Sequence, residues 1–232
     1  MKPVKLTPFS GKITVLLVAV LALLGPGQLV AQTAVSNLSY GTTNTTFPVG
    51  QVAPDYRQVV FSFTTGAAAV NFAGISLIFG PYKAGNPGAL TFGLYDTTFN
   101  TSNATGTLLT PLTTSGNPLV AGTYSFTGSA SLAANTTYYL KLSADSAPAG
   151  YNYFDVPFST STAETGLTGW TIGNVGYQYK TGVYYSTESV PPSFSVQATE
   201  VSAVPEPSTY AELAGLGVLC FAAWRRSRSV PV

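Results

Sequence analysis

From about Ala34 to Thr199 the chain runs in short apolar stretches punctuated by Gly, Pro, Asn and Ser. Alternation is clearest where Tyr138, Leu140 and Leu142 take one side and Tyr139, Lys141 and Ser143 the other. Phe92 and Leu94 alternate with Gly93 and Tyr95 in the same way. A period of two with one apolar side is the mark of a half-buried antiparallel strand. The pattern predicts strands over 58–65, 70–79, 90–96, 119–128, 136–144 and 193–201, with one or two hairpins inside 169–187. No sustained helical period interrupts them, and no internal repeat suggests a propeller or solenoid. Seven to nine strands joined by turn residues imply an all-β, antiparallel β-sandwich of jelly-roll type.

The two ends follow a different pattern. At the N-terminus Lys2, Lys5 and Lys12 precede an apolar run from Ile13 to Leu24, then Gly-Pro-Gly and "LVA". Basic, apolar, then small is the order of a secretory signal peptide, which places cleavage after Ala31 and a signal over residues 1–31. The run holds 12 residues, short for a membrane span of about 20. At the C-terminus Tyr210 to Trp224 is again apolar. Its 15 residues rise roughly 22 Å as a helix, and recruiting Ser208 and Thr209 lengthens it towards the ~30 Å hydrocarbon core. The expected transmembrane helix is 209–224. Arg225, Arg226 and Arg228 follow as a stop-transfer cluster that holds this end in the cytoplasm. Ahead of the helix, Pro205 and Pro207 lack an N–H and fix φ near −65°, which keeps Val204-Pro205-Glu206-Pro207-Ser208 extended. An extended, unpaired backbone is what a protease groove grips as an added strand. The expected organisation is therefore a signal at 1–31, a β-rich ectodomain at 32–203 and a tail at 204–229. Export through the Sec machinery and a transient stay in the inner membrane follow from those two ends.

The order in the tail carries a resemblance. Pro-Glu-Pro, the Ser-Thr-Tyr start, a Gly-rich apolar helix and a terminal arginine cluster resemble the PEP-CTERM sorting signal of Gram-negative bacteria over Val204–Ser229. The resemblance implies recognition by exosortase, a membrane protease or transpeptidase. It also implies delivery to the cell surface or an exopolysaccharide matrix, as in a biofilm. Glu212 inside the apolar run and "SVPV" after the arginines depart from the commonest form. In the body, "FSFTTG", "SLIF", "LTFGLYD" and "YSFTGSASLAANTTYYLKL" resemble the choice-of-anchor R domain over about Tyr56–Gln197. That resemblance implies a β-sandwich on a bacterial surface and no chemistry of its own.

Composition narrows the function. The chain has 232 residues, 8% charged, one cysteine and no histidine. Between Gln32 and Ala203 four basic residues face seven acidic ones, net −3, and no basic stripe suits nucleic acid. Without histidine there is no Ser-His-Asp or Cys-His system and no imidazole metal site, and no phosphate loop or cofactor motif is present. Cys220 lies in the tail, so no intrachain disulfide forms. The expectation is a non-enzymatic protein. A carboxylate glycosidase would need two acids about 5–9.5 Å apart, but Asp96, Asp145 and Asp155 adjoin predicted turns, where Asp caps backbone groups. Asp145 or Asp155 could instead join carbonyls around Ca²⁺. The N-x-S/T sequons at Asn37, Asn44, Asn100, Asn103 and Asn135 follow from a Thr/Ser/Asn-rich composition. The main functional alternative is carbohydrate binding by the aromatic-rich last third, with Trp170, Tyr177, Tyr179, Tyr184 and Tyr185 as stacking rings.

Overall fold

The computed structural model describes residues 30–52, 55–81, 88–100, 104–144, 151–161, 163–179, 184–188, 190–201, 215–222 and 224–225. Within those strands the side chains of Asn44, Asp55, Tyr151 and residues 174–179 and 184–188 lie outside the description. The chain divides into two compact units, Met1–Val30 and Ala31–Val232. The predicted signal segment up to residue 29 and the sorting motif at Val204–Ser208 lie outside the described residues.

The body is mostly β. Its strands are β1 (Gln32–Ser36), β2 (Thr42–Val52), β3 (Asp55–Thr64), β4 (Val70–Phe79), β5 (Thr91–Tyr95), β6 (Leu108–Leu112) and β7 (Gly122–Leu132). They continue with β8 (Thr137–Ser143), β9 (Tyr151–Ser159), β10 (Thr165–Gly166), β11 (Thr171–Tyr179), β12 (Tyr184–Glu188) and β13 (Phe194–Glu200). One sheet has the order β10-β1-β13-β4-β7. The other follows β12-β11-β3-β8-β5-β6, with β2 beside β3 and β9 beside β2. Every strand pairing is antiparallel.

One buried cluster draws on both sheets. Phe61 of β3 meets Phe194 of β13 at 4.9 Å between ring centroids. Phe92 of β5 meets Phe126 of β7 edge-on at 5.0 Å, and Phe79 of β4 meets Phe154 of β9 at 6.1 Å. Such pairs add about 0.5–1.5 kcal/mol each beyond the area they bury. The strand β4 shows how sequence pattern and backbone cooperate. Val70 and Phe72 are buried, and so are Ile75, Leu77 and Phe79, yet the two sets have opposite parity. The register slips between Phe72 and Gly74, and Gly74 sits at φ +156°. A bulge there inserts one residue and returns the next apolar set to the core. A Cβ on Gly74 would collide with the Phe126 carbonyl.

Five strands go beyond the predicted set: β1, β2, β6, β9 and β10. Three of them contain proline: Pro48, Pro111 and Pro157. Proline removes a ladder donor, so these segments read as loops in sequence; in the structure β6 and β9 each have one neighbouring strand, whereas β2 pairs with both β3 and β9. Pro48 lies opposite Asp155 and Pro157 opposite Thr46 in the β2–β9 pairing. Backbone bonds also tie the two sheets together. Thr113 and Thr127 exchange bonds of 2.9 and 2.8 Å, Gly80 N–H donates to the Asp155 carbonyl at 2.9 Å, and Ser159 N–H donates to Pro191 O at 3.0 Å. Asn37, fully buried, accepts from Phe194 N–H at 2.7 Å and donates through Nδ2 to Pro192 O at 2.9 Å.

Candidate sorting site and candidate recognition residues

The body begins and finishes at one end of the same sheet. Gln32, the first residue of β1, lies opposite Ala198 of β13. Two residues past Ala198, β13 ends at Glu200, and Val201 N–H donates to Ala69 O. Only three residues separate Val201 from Pro205. The expected signal-cleavage point, between exposed Ala31 and exposed Gln32, and the root of the tail are therefore on adjacent strands.

Residues 215–222 and 224–225 are helical, and every one of them is exposed. Leu216, Val218, Leu219 and Phe221 are 59–69% exposed, and Cys220 is exposed too. At about 100° per residue these positions run round the whole helix instead of forming a stripe. No heavy atom outside the helix approaches within 4 Å of where a Cβ on Gly215 or Gly217 would sit. A helix apolar on all sides is one that a non-aqueous environment covers. Burying those four side chains is worth about 1.5–3 kcal/mol each. Phe221 contacts Trp224 one turn on, at 5.7 Å, directly before the helical, exposed Arg225. Among the described residues no helix is long and apolar enough to cross a membrane. Arg226 and Arg228 lie outside the described residues.

The aromatic residues separate into two groups. Trp170 is a core residue, 5% exposed, stacked on Phe63 at 5.8 Å and 12°. Gly66 leaves room for it, because a Cβ there would lie 2.9 Å from the indole Cδ1. Its ring is spent on packing, so it offers no open face for stacking a sugar. The other four are placed by backbone register only. Tyr177 lies opposite Val59 and Tyr185, Tyr179 opposite Arg57, and Tyr184 opposite Gln178.

An aromatic group not singled out from sequence covers the second side of the larger sheet. The connection from β5 to β6 folds back so that Phe99 stacks on Tyr139 at 5.1 Å and meets Tyr95 edge-on at 5.2 Å. Val60 and Ala104 complete this buried cluster, and Lys141 Nζ donates to Ala104 O at 3.1 Å. The signal was the double Tyr138-Tyr139, in which both rings find apolar surroundings although they alternate sides.

Three of the described carboxylates, Asp96, Asp155 and Glu164, accept hydrogen bonds. Asp96 accepts from Thr98 N–H at 3.0 Å and from its hydroxyl at 2.5 Å. The Thr98 hydroxyl, with smaller contributions from the Thr98 amide and Thr107, holds the Asp96 carboxyl below its ordinary value against a smaller opposing effect of burial. Asp96 thus caps a turn as expected. Asp155 does not adjoin a turn: it lies within β9, nearly buried, and accepts from the Thr46 hydroxyl at 3.0 Å. Glu164 accepts from Ile172 N–H at 2.5 Å. Asp145 lies outside the described residues. Among the described residues no group of three or more His, Cys, Asp or Glu could hold a metal ion.

Among the described residues an antiparallel β body is followed in the chain by an exposed apolar helix that ends at Arg225. Residues 203–227 match the PEP-CTERM protein-sorting motif. The motif supports export, membrane-anchored sorting towards the cell surface and processing by an exosortase, a membrane protease. No curated protein matches the chain.

Proposed function

We propose that this protein is a non-enzymatic component of the cell surface or extracellular matrix, associated with exopolysaccharide or biofilm. A signal peptide removed after Ala31 starts export through the Sec machinery. The body is a β-sandwich of jelly-roll type, akin to the choice-of-anchor R domain, and crosses the inner membrane as cargo. The tail helix, extended to 209–224, holds it there until exosortase acts at the Val204–Ser208 segment. The observation that carries this reading is the helix whose apolar side chains, Leu216, Val218, Leu219 and Phe221, face outwards on all sides. Arginines follow it at once, and apolar-then-basic is the order that stops transfer.

The test is a triple Arg225→Gln, Arg226→Gln, Arg228→Gln variant beside the natural chain, each in cells with and without an exosortase. Mass spectrometry of the C-terminus and cell fractionation read the outcome. The natural chain loses its tail only where exosortase is present, while the triple variant is poorly retained in the membrane and poorly cut. An intact tail on soluble cytoplasmic protein in exosortase-positive cells overturns the proposal.

A second reading, a carbohydrate-binding module, is favoured by the tyrosines gathered on β11 and β12, with Tyr177 opposite Tyr185. It rests on Tyr177, Tyr179, Tyr184 and Tyr185, because Trp170 is occupied in the core. Affinity electrophoresis through exopolysaccharide with Tyr177→Ala and Tyr184→Ala decides it. Retardation lost in both variants supports binding, and mobility unaffected by the polymer removes it.

A further inference from the structure

We propose that Gln32 is a modification site: once it becomes the first residue of the exported chain, it closes on itself to pyroglutamate. The proposal rests on the signal-peptide reading given above, and three observations carry it further. Gln32 opens β1, and residues 30–33 are all exposed, so both the peptide bond before it and its side chain are in solvent. Among the described residues its carboxamide has no hydrogen-bond partner, unlike that of Gln197 on the facing strand, which donates to Thr33 and Ser195. Its main chain is meanwhile held in register opposite Ala198, with Thr33 opposite Gln197. The residue is thus held in register by its pairing with β13, while its side chain stands in solvent within reach of its own nitrogen.

The chemistry is balanced without any co-reactant. The α-amine attacks the side-chain carboxamide carbon Cδ. A five-membered lactam forms, the Cδ–Nε2 bond breaks, and one ammonia leaves with the displaced proton. The nucleophile is the unprotonated amine, which at an ordinary α-amino pKa of about 7.7–8.0 is about 10–20% of the population at pH 7. The ring uses only the residue's own amine and side chain. With no preceding residue, it meets no chain on the upstream side, and the carbonyl and everything after it keep the β1 register. The product carries no terminal charge and offers no free amine to an aminopeptidase. That protects a chain end beside the strand from which the sorting tail departs.

The experiment uses full-length protein exported by its own cells, with the N-terminal peptide read by mass spectrometry. The expected result is a peptide starting at residue 32 and lighter by one ammonia. The Gln32→Ala variant, which has no carboxamide to close on, starts at the same residue with a free, labelable amine. A natural chain starting at Gln32 with its amine free and its full mass overturns cyclisation while leaving the signal-peptide reading standing. A chain starting at a neighbouring residue overturns the assignment to Gln32 alone, and a chain that keeps residues 1–31 overturns the signal-peptide reading as well.

Discussion

Replacing Asn37 by alanine should unlock the junction where β1 and the approach to β13 meet. The side chain is fully buried and makes two bonds of 2.7 and 2.9 Å to main-chain groups more than 150 residues away. Alanine removes both, leaving the Phe194 amide and the Pro192 carbonyl without these partners. Each buried group stripped of its bond costs about 1–3 kcal/mol, so about 3 kcal/mol is expected where water gives partial relief. For a body of this size 1 kcal/mol corresponds to about 2–4 °C, so the melting temperature should fall by about 6–12 °C. Thermal unfolding of the purified protein by circular dichroism is the assay. Ser39→Ala is the control. It abolishes the same N-x-S sequon but alters an exposed side chain, so it should melt with the natural protein. A drop within about 1 °C for Asn37→Ala would refute the reasoning, because two orphaned buried groups cannot be that cheap. An equal drop for both variants would point to the sequon instead of the buried bonds.

Two further outcomes follow from local geometry. Gly50 sits at φ +125° in β2, and a Cβ there would lie 2.7 Å from Asn152 O. Gly50→Ala should therefore cost about 2–3 kcal/mol in urea unfolding, whereas Gly116→Ala, with open space around it, should be neutral or slightly stabilising. Asp96 is held below its ordinary value of 3.8 by Thr98, so its carboxylate is favoured more in the folded than in the unfolded state. That contribution is complete above pH 4 and fades as the pH falls through the lowered folded value. A carboxyl titration followed by NMR should show the depression, and Thr98→Ala should return Asp96 towards the ordinary value.

The alternating runs fixed where β3, β4, β5, β8 and β13 would form, because period-two burial is a local property of residue order. The handling of the chain was legible for the same reason: a proline-bounded acidic step, an all-round apolar helix and clustered arginines act through their linear order, with no need of a folded partner. What the order could not reveal was decided by contacts between distant strands. The strands β2 and β9 carry Pro48, Gly50 and Pro157 and look like loops until each supplies the other's partner. Asp155 looks like a turn acid until β9 draws it beside Thr46. Trp170 reads in sequence as either a stacking ring or a core ring until Gly66 leaves the space that lets it lie on Phe63. Residue order thus determined the address and the β character. Only the tertiary structure decided which polar and aromatic groups are enclosed, because burial depends on neighbours far along the chain, and no local period records them.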